Sequence, residues 1–218
     1  MLHKSLWGAT LAVWLIAQAV APAGRGPTVL TIDPGESRVT ILVGKAGMLS
    51  FAGHAHEVVA PAVRGRVTFD PMDWPHASVS LEFDAAALRV TGKDEAASDV
   101  ATVEKTMLGA QVLDVEHFPT IAFQSRRVSV AIGASGPAAL TIDGDMTLHG
   151  RTRPMTVRAS ASIDGSGRVT ATGAFTLKQT DFGIVPVTAA GGTIRVKDDI
   201  DIQFVLKASP GNGTPTSR

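Results

Sequence analysis

A chain of 218 residues is long enough for one well-buried core and short for two. Lysine plus arginine equals aspartate plus glutamate at 20 each, so no net field draws in nucleic acid or an anionic membrane surface. Charged residues make up 18%, aromatic residues 5%, and cysteine is absent, which rules out a disulfide framework and a thiolate metal site.

MLHKS followed by LWGATLAVWLIAQAV sets a cation before an apolar run of about 15 residues, the layout of a secretory leader. The run is short for a bilayer span, which needs about 20 residues. Small residues at Ala17 and Ala19, or at Ala21 and Ala23, offer cleavage sites, so residues 1–23 are expected to be a signal peptide. An export signal without cysteines points to the periplasm.

Beyond AGRGPT the apolar residues alternate with period two. RVTILVG puts Val39, Ile41 and Val43 on one face, and VRGRVTF puts Val63, Val67 and Phe69 there. Between these lies FAGHAHEVVAP, with His54 and His56 on one face of an expected strand and Glu57 on the other. VSLEF contributes Val79, Leu81 and Phe83. EAASDVATVEKTMLGAQVLD breaks the alternation. There Val100, Val103, Met107, Leu108 and Val112 fall at helical spacing behind candidate caps at Ser98 and Asp99. Such a helix is expected to pack over a barrel mouth or edge.

Alternation resumes in TIAFQ with Ile121 and Phe123, and in RVSVAI with Val128, Val130 and Ile132. It continues through Leu140, Ile142, Met146 and Leu148, then through Met155, Val157, Ala159 and Ala161. Val169, Ala171, Phe175 and Leu177 follow, and Ile200, Ile202, Phe204 and Leu206 close the series. Residues 209–218 read as a disordered tail.

Half-wet alternation argues for antiparallel strands. HGRTRP and DGSG are short enough to join neighbours directly. A meander of roughly eight or more strands removes its exposed edges by closing, so the expected fold is all-β, an up-and-down barrel with one inserted helix. A barrel of that size is either filled by side chains or holds one slim ligand. Gly65, Gly144 and Gly173, with Ala159, Ala161 and Ala171, fall on the inward parity and take volume out of the middle.

Four separated stretches sharpen this reading: TIDPGESRVTILVGKAG, LDVEHFPTIAFQS, LTIDGDMTLHGRTRPMTV, and LKQTDFGI with VKDDIDIQFVLKA. Together they resemble the YceI-like family of exported, lipocalin-like barrels, from about Leu30 to Ala208 within a domain expected over residues 24–208. The resemblance implies an extended antiparallel barrel holding a polyisoprenoid or other long amphiphilic chain in a central apolar tube. The stretch AGMLSFAGHAHEVVAP departs from the KHLG-type segment common in that family, which points to a branch with its own ligand.

The expected ligand-binding set is therefore Val43, Val67, Phe69, Leu81, Phe83, Ile121, Phe123, Ile142, Leu148, Val157, Phe175 and Phe204, with His54 and His56 at the rim or headgroup. The competing reading is a metal-binding protein or hydrolase centred on His54 and His56, which needs a third ligand. His76, His117 and His149 are candidates, but nothing in the sequence brings them together. No nucleophile–base motif is present, and the DFG of QTDFGI lacks the rest of a kinase signature. A non-catalytic carrier needing no cofactor and no stable membrane insertion is expected, since a membrane-spanning barrel would carry aromatic girdles.

Overall fold

The computed structural model describes residues 26–46, 55–61, 63–70, 73, 76–93, 95–131, 136–189 and 194–211. The expected signal peptide, His54, Ile132 and residues 212–218 lie outside these.

Among the described residues, twelve strands build one antiparallel sheet. In the first half of the chain they are β1 (Thr28–Ile32), β2 (Arg38–Ala46), β3 (His56–Ala60), β4 (Arg64–Phe69), β5 (Ser78–Asp84) and β6 (Arg89–Val90). A helix, α1 (Ala97–Leu108), follows. The second half holds β7 (Thr120–Ala131), β8 (Ala138–Leu148), β9 (Arg151–Ile163), β10 (Val169–Lys178), β11 (Thr188–Ala189) and β12 (Ile194–Pro210).

The pairings reduce to eight staves. β1 and β2 both run antiparallel to β12, β1 against Ala208–Pro210 and β2 against Arg195–Val205, so they form one stave interrupted at residues 33–37. β4 pairs with β1 while β3 pairs with β2, and β5 pairs with β4 while β6 pairs with β3. β7, β8, β9, β10 and β12 complete the ring, each hydrogen-bonded to the next, and β12 returns to β1. The meander thus closes on itself, which satisfies the edge hydrogen bonds that an open sheet would leave bare.

Four local features differ from the sequence reading. TIAFQ and RVSVAI are one strand, β7. The register against β8 shifts between Ser125 and Arg127, so one extra residue turns the inward set from odd to even numbers. The hairpin in HGRTRP is a two-residue turn with φ of 50° at His149 and 66° at Gly150, matching the twist of the flanking strands. α1 starts at Ala97, with Ala96 as an N-cap that makes no side-chain bond, so Ser98 and Asp99 lie inside the first turn rather than capping it. β12 continues through Ser209 and Pro210, which pair with Thr31 and Leu30 and belong to the barrel rather than to the expected tail.

The inward glycines act differently from expectation. A Cβ on Gly144 would lie 2.6 Å from Phe123 Cζ, and one on Gly173 would lie 2.5 Å from Phe204 Cζ. A Cβ on Gly65 would meet Leu81 Cδ2 at 2.8 Å. The space at each glycine is already taken by a neighbouring side chain and by a backbone carbonyl oxygen of the next strand, that of Ser80, Gln124 or Arg158, so no void is left at these positions. The glycines admit close neighbours rather than adding free volume.

Candidate functional site: an apolar lumen with one polar end

The barrel encloses a cavity of about 850 Å³. Its wall is built from the inward parity of the staves, so the period-two pattern is also the lining pattern. Val43, Val67, Leu81, Phe83, Ile121, Phe123, Ile142, Leu148, Val157, Phe175, Phe204 and His56 all line it. Ala159 and Ala171 do too, and their small side chains leave room that a leucine would fill. Phe175 and Phe204 meet tilted, with ring centroids 6.4 Å apart, on the paired strands β10 and β12.

Phe69 is the exception among the expected lining residues. It is buried, but it forms no part of the wall. Its partner in the ladder is Thr28, at the start of β1, so it lies one step beyond Val67 toward the barrel floor. With fully buried Leu30 it closes that end.

The helix expected over a barrel mouth lies there as α1, with Val103 and Met107 of its apolar stripe on the lumen, but the lining role of its polar residues and of its lead-in was not read from the sequence. Glu95, Ala96, Asp99, Thr102, Val103, Thr106 and Met107 face the lumen, which places one side of the helix across the opposite end. The 3-4 spacing from Asp99 to Met107 carries that signal, but it mixes threonines with apolar residues and so hides from a purely apolar count. No residue of α1 is fully buried, as suits a cover laid on a mouth rather than a core helix.

The polar lining residues all gather at this end. Lys45 is the next inward residue after Val43 on β2, and His56 is cross-strand from Val43 on β3. Gln179 follows β10 directly. Glu95 Oε1 lies 2.8 Å from His56 Nδ1, and the two side chains are only 4% and 16% exposed. This bond ties the lead-in of α1 to the barrel wall. Buried Gln179 braces a different strand, since its amide donates to the Lys197 carbonyl at 2.8 Å, where the β12 register shifts against β2. Asp198 beside it accepts from the Thr180 amide and hydroxyl, which hold its carboxyl below the usual carboxylate range.

The other histidines sit elsewhere. His76 and His117 are exposed and bonded to Asp73 and Asp114, and in each case that hydrogen bond raises the imidazole above its ordinary value. His149 packs edge-on against Phe118 with centroids 4.8 Å apart and reaches the Phe182 carbonyl at 3.3 Å. Among the described residues no three His, Cys, Asp or Glu side chains converge as a metal site, and no helix is long and apolar enough to cross a membrane.

A sequence model of the YceI-like domain matches residues 30–208. The chain belongs to the YceI-like family. It is 29% identical over 143 residues to a UPF0312 protein of Pseudomonas putida strain W619, covering 63% of this chain and 66% of that relative's length. A UPF0312 protein of Vibrio cholerae is 30% identical over 148 residues, covering 66% of this chain and 70% of the relative. Among solved structures, Burkholderia cenocepacia BcnA superposes with a TM-score of 0.63 at 20% identity, covering 82% of this chain and 99% of BcnA. A polyisoprenoid binding domain from Saccharophagus degradans, implicated in plant cell wall breakdown, gives 0.60 at 10% identity, covering 84% and 99% of the two chains. At these identities the likeness is one of fold, and this YceI-like chain shares the family's closed antiparallel barrel.

Proposed function

We propose that this YceI-like protein is a non-catalytic carrier that holds one long apolar chain, of polyisoprenoid, quinone-like or fatty type, along the barrel axis. The observation that carries the reading is the lumen itself: a hollow of about 850 Å³ whose wall is aliphatic and aromatic except at one end. An empty apolar cavity of that size forgoes dispersion contacts that a tail would restore, and each buried methylene contributes about 0.8 kcal/mol. The description of the Saccharophagus degradans neighbour as polyisoprenoid-binding supports the same class of ligand. The apolar leader over residues 1–23 supports a periplasmic location for the mature chain.

The test is purification without detergent, organic extraction, and mass spectrometry of the extract. A tail-bearing lipid in near-stoichiometric amount is expected, released with the protein by osmotic shock. Absence of lipid, together with no uptake of added isoprenoids, rejects the carrier reading.

A further inference from the structure

The barrel wall has a seam in the half nearer the mouth. β9 pairs with β8 from Arg151 to Ala161, and β10 pairs with β12 along its whole length. The two strands pair with each other only where Ala159–Ile163 meets Val169–Gly173. Past Gly173 the same register would set Phe175 against Val157 and Lys178 against Pro154, but no ladder forms there. Pro154, which has no N–H to donate, sits in this stretch as prolines sit on edge strands. Parting the wall here breaks no rung between β9 and β10.

A short helical turn, Gln179–Phe182, packs between the two strands and fills the seam with the residues that follow it. It is fastened on the β12 side, where the Thr180 amide and hydroxyl donate to Asp198 at 2.9 and 2.7 Å and the Gln179 side chain donates to the Lys197 carbonyl. On the β9 side no backbone–backbone bond reaches it among the described residues, and side chains do the holding. Arg153 Nε donates to the Asp181 carbonyl at 2.9 Å, and the Arg151 guanidinium lies over Gly183. Phe182 and Ile184, each 3% exposed, are the wedge. Ile184 and Val187 line the lumen while Val185 between them is 74% exposed, so apolar side chains lead from solvent to cavity within one short loop. Val157, Phe175 and Leu177 continue that surface inside. End-on entry instead takes a tail past Lys45, His56, Glu95 and Asp99, whose polar groups it would desolvate.

We propose that the β9–β10 seam is a side portal through which a tail enters and leaves the lumen, with residues 179–184 as a gate that stays with β12 and unlatches from β9. This inference rests on the tail-in-lumen reading and adds the route to it. A tail admitted sideways need not be drawn through water at its full length, since the seam runs from Arg151 to Arg158 of β9.

The experiment follows transfer of a tritiated isoprenoid alcohol of about five units between the full chain and phosphatidylcholine vesicles, with the dissociation constant taken from equilibrium partition and the fold checked by circular dichroism. Arg151→Ala/Arg153→Ala removes the latch, and neither arginine lines the lumen. Release and uptake should both quicken about 5-fold while the dissociation constant stays within about twofold. Glu104→Ala frees α1 from the Val90 amide, which donates to that carboxylate at 3.0 Å, and should leave both rates within about twofold of the wild type. The chain has no cysteine, so in Pro154→Cys/Lys178→Cys a short bifunctional maleimide bridges only the two lips of the seam. Bridging should slow release about 10-fold against the unbridged form of the same variant, a comparison that decides the matter even where the arginine variant misfolds. Release unchanged by bridging, or rates quickened by Glu104→Ala and not by the folded arginine variant, overturns the portal while leaving the carrier reading intact. A wild type that takes up no isoprenoid overturns both.

Discussion

Ala171 offers the sharpest perturbation of the lumen, because it lines the wall on β10 between Ala161 of β9 and Leu206 of β12. This position is toward the floor, away from His56 and Glu95. At about 30 Å³ per water-sized group, a hollow of 850 Å³ holds roughly 28 heavy atoms, or about five isoprene units. Ala171→Trp projects an indole of about nine further heavy atoms into that space, nearly a third of it. Nine methylene-sized groups kept out of the lumen forfeit up to about 7 kcal/mol of burial. Part of the tail slides toward the mouth and recovers some of this, so a weakening of about 100-fold or more is expected for the longest ligands. Short tails should bind as before. The assay is a chain-length series of isoprenoid alcohols: wild-type affinity should rise with length and level off at about five to six units, and in Ala171→Trp it should level off at about four. A folded variant with an unchanged length profile would show that the tail does not run along this axis.

Other positions test the scaffold and its charges. Gly173→Ala brings a Cβ within 2.5 Å of the Arg158 carbonyl oxygen, so a loss of about 1–3 kcal/mol is expected in denaturant melts. Gly165→Ala, with nothing within 4 Å, should be close to neutral. Gln179→Leu leaves the Lys197 carbonyl without its 2.8 Å donor and should cost about 1–3 kcal/mol, seen as a melting temperature lower by several degrees. The Asp114 hydrogen bond raises His117, so its stabilising effect is fully present below the unfolded-state value of 6.5 and is lost as pH rises through the higher folded value. An NMR titration of the His117 ring should show that elevated midpoint, and Asp114→Asn should return it toward the ordinary one while tolerating the left-handed backbone at φ 47°.

The wall of the site was legible in the sequence because alternation in a closed barrel is the same signal as lining. Val43, Leu81, Phe123, Val157 and Phe204 follow from parity alone, whereas the change of parity between Phe123 and Val128 reads in the sequence as two segments and is in fact a bulge within β7. Ends are harder to read than walls. Phe69 shares the inward parity of Val67, yet its height along the barrel makes it floor, and height depends on the stagger between β1, β4 and β12. The Glu95–His56 bond was hidden for a related reason: its partners are 39 residues apart and meet only because the insertion carrying α1 folds back over the mouth. The glycines could be placed on the inner face but not interpreted. Whether a missing side chain leaves a void or a seat for a neighbouring ring depends on the cross-strand partner, here Phe204 opposite Gly173.

The most direct test is an experimental structure of the protein grown with an isoprenoid alcohol of about five units, the length that fills the hollow. A single tail should run along the axis from Ala171 to the mouth, with its polar end at the end of the lumen lined by Lys45, His56 and Glu95. A lumen occupied by the protein's own valines, leucines and phenylalanines, with the isoprenoid absent or lying outside the barrel, contradicts the account.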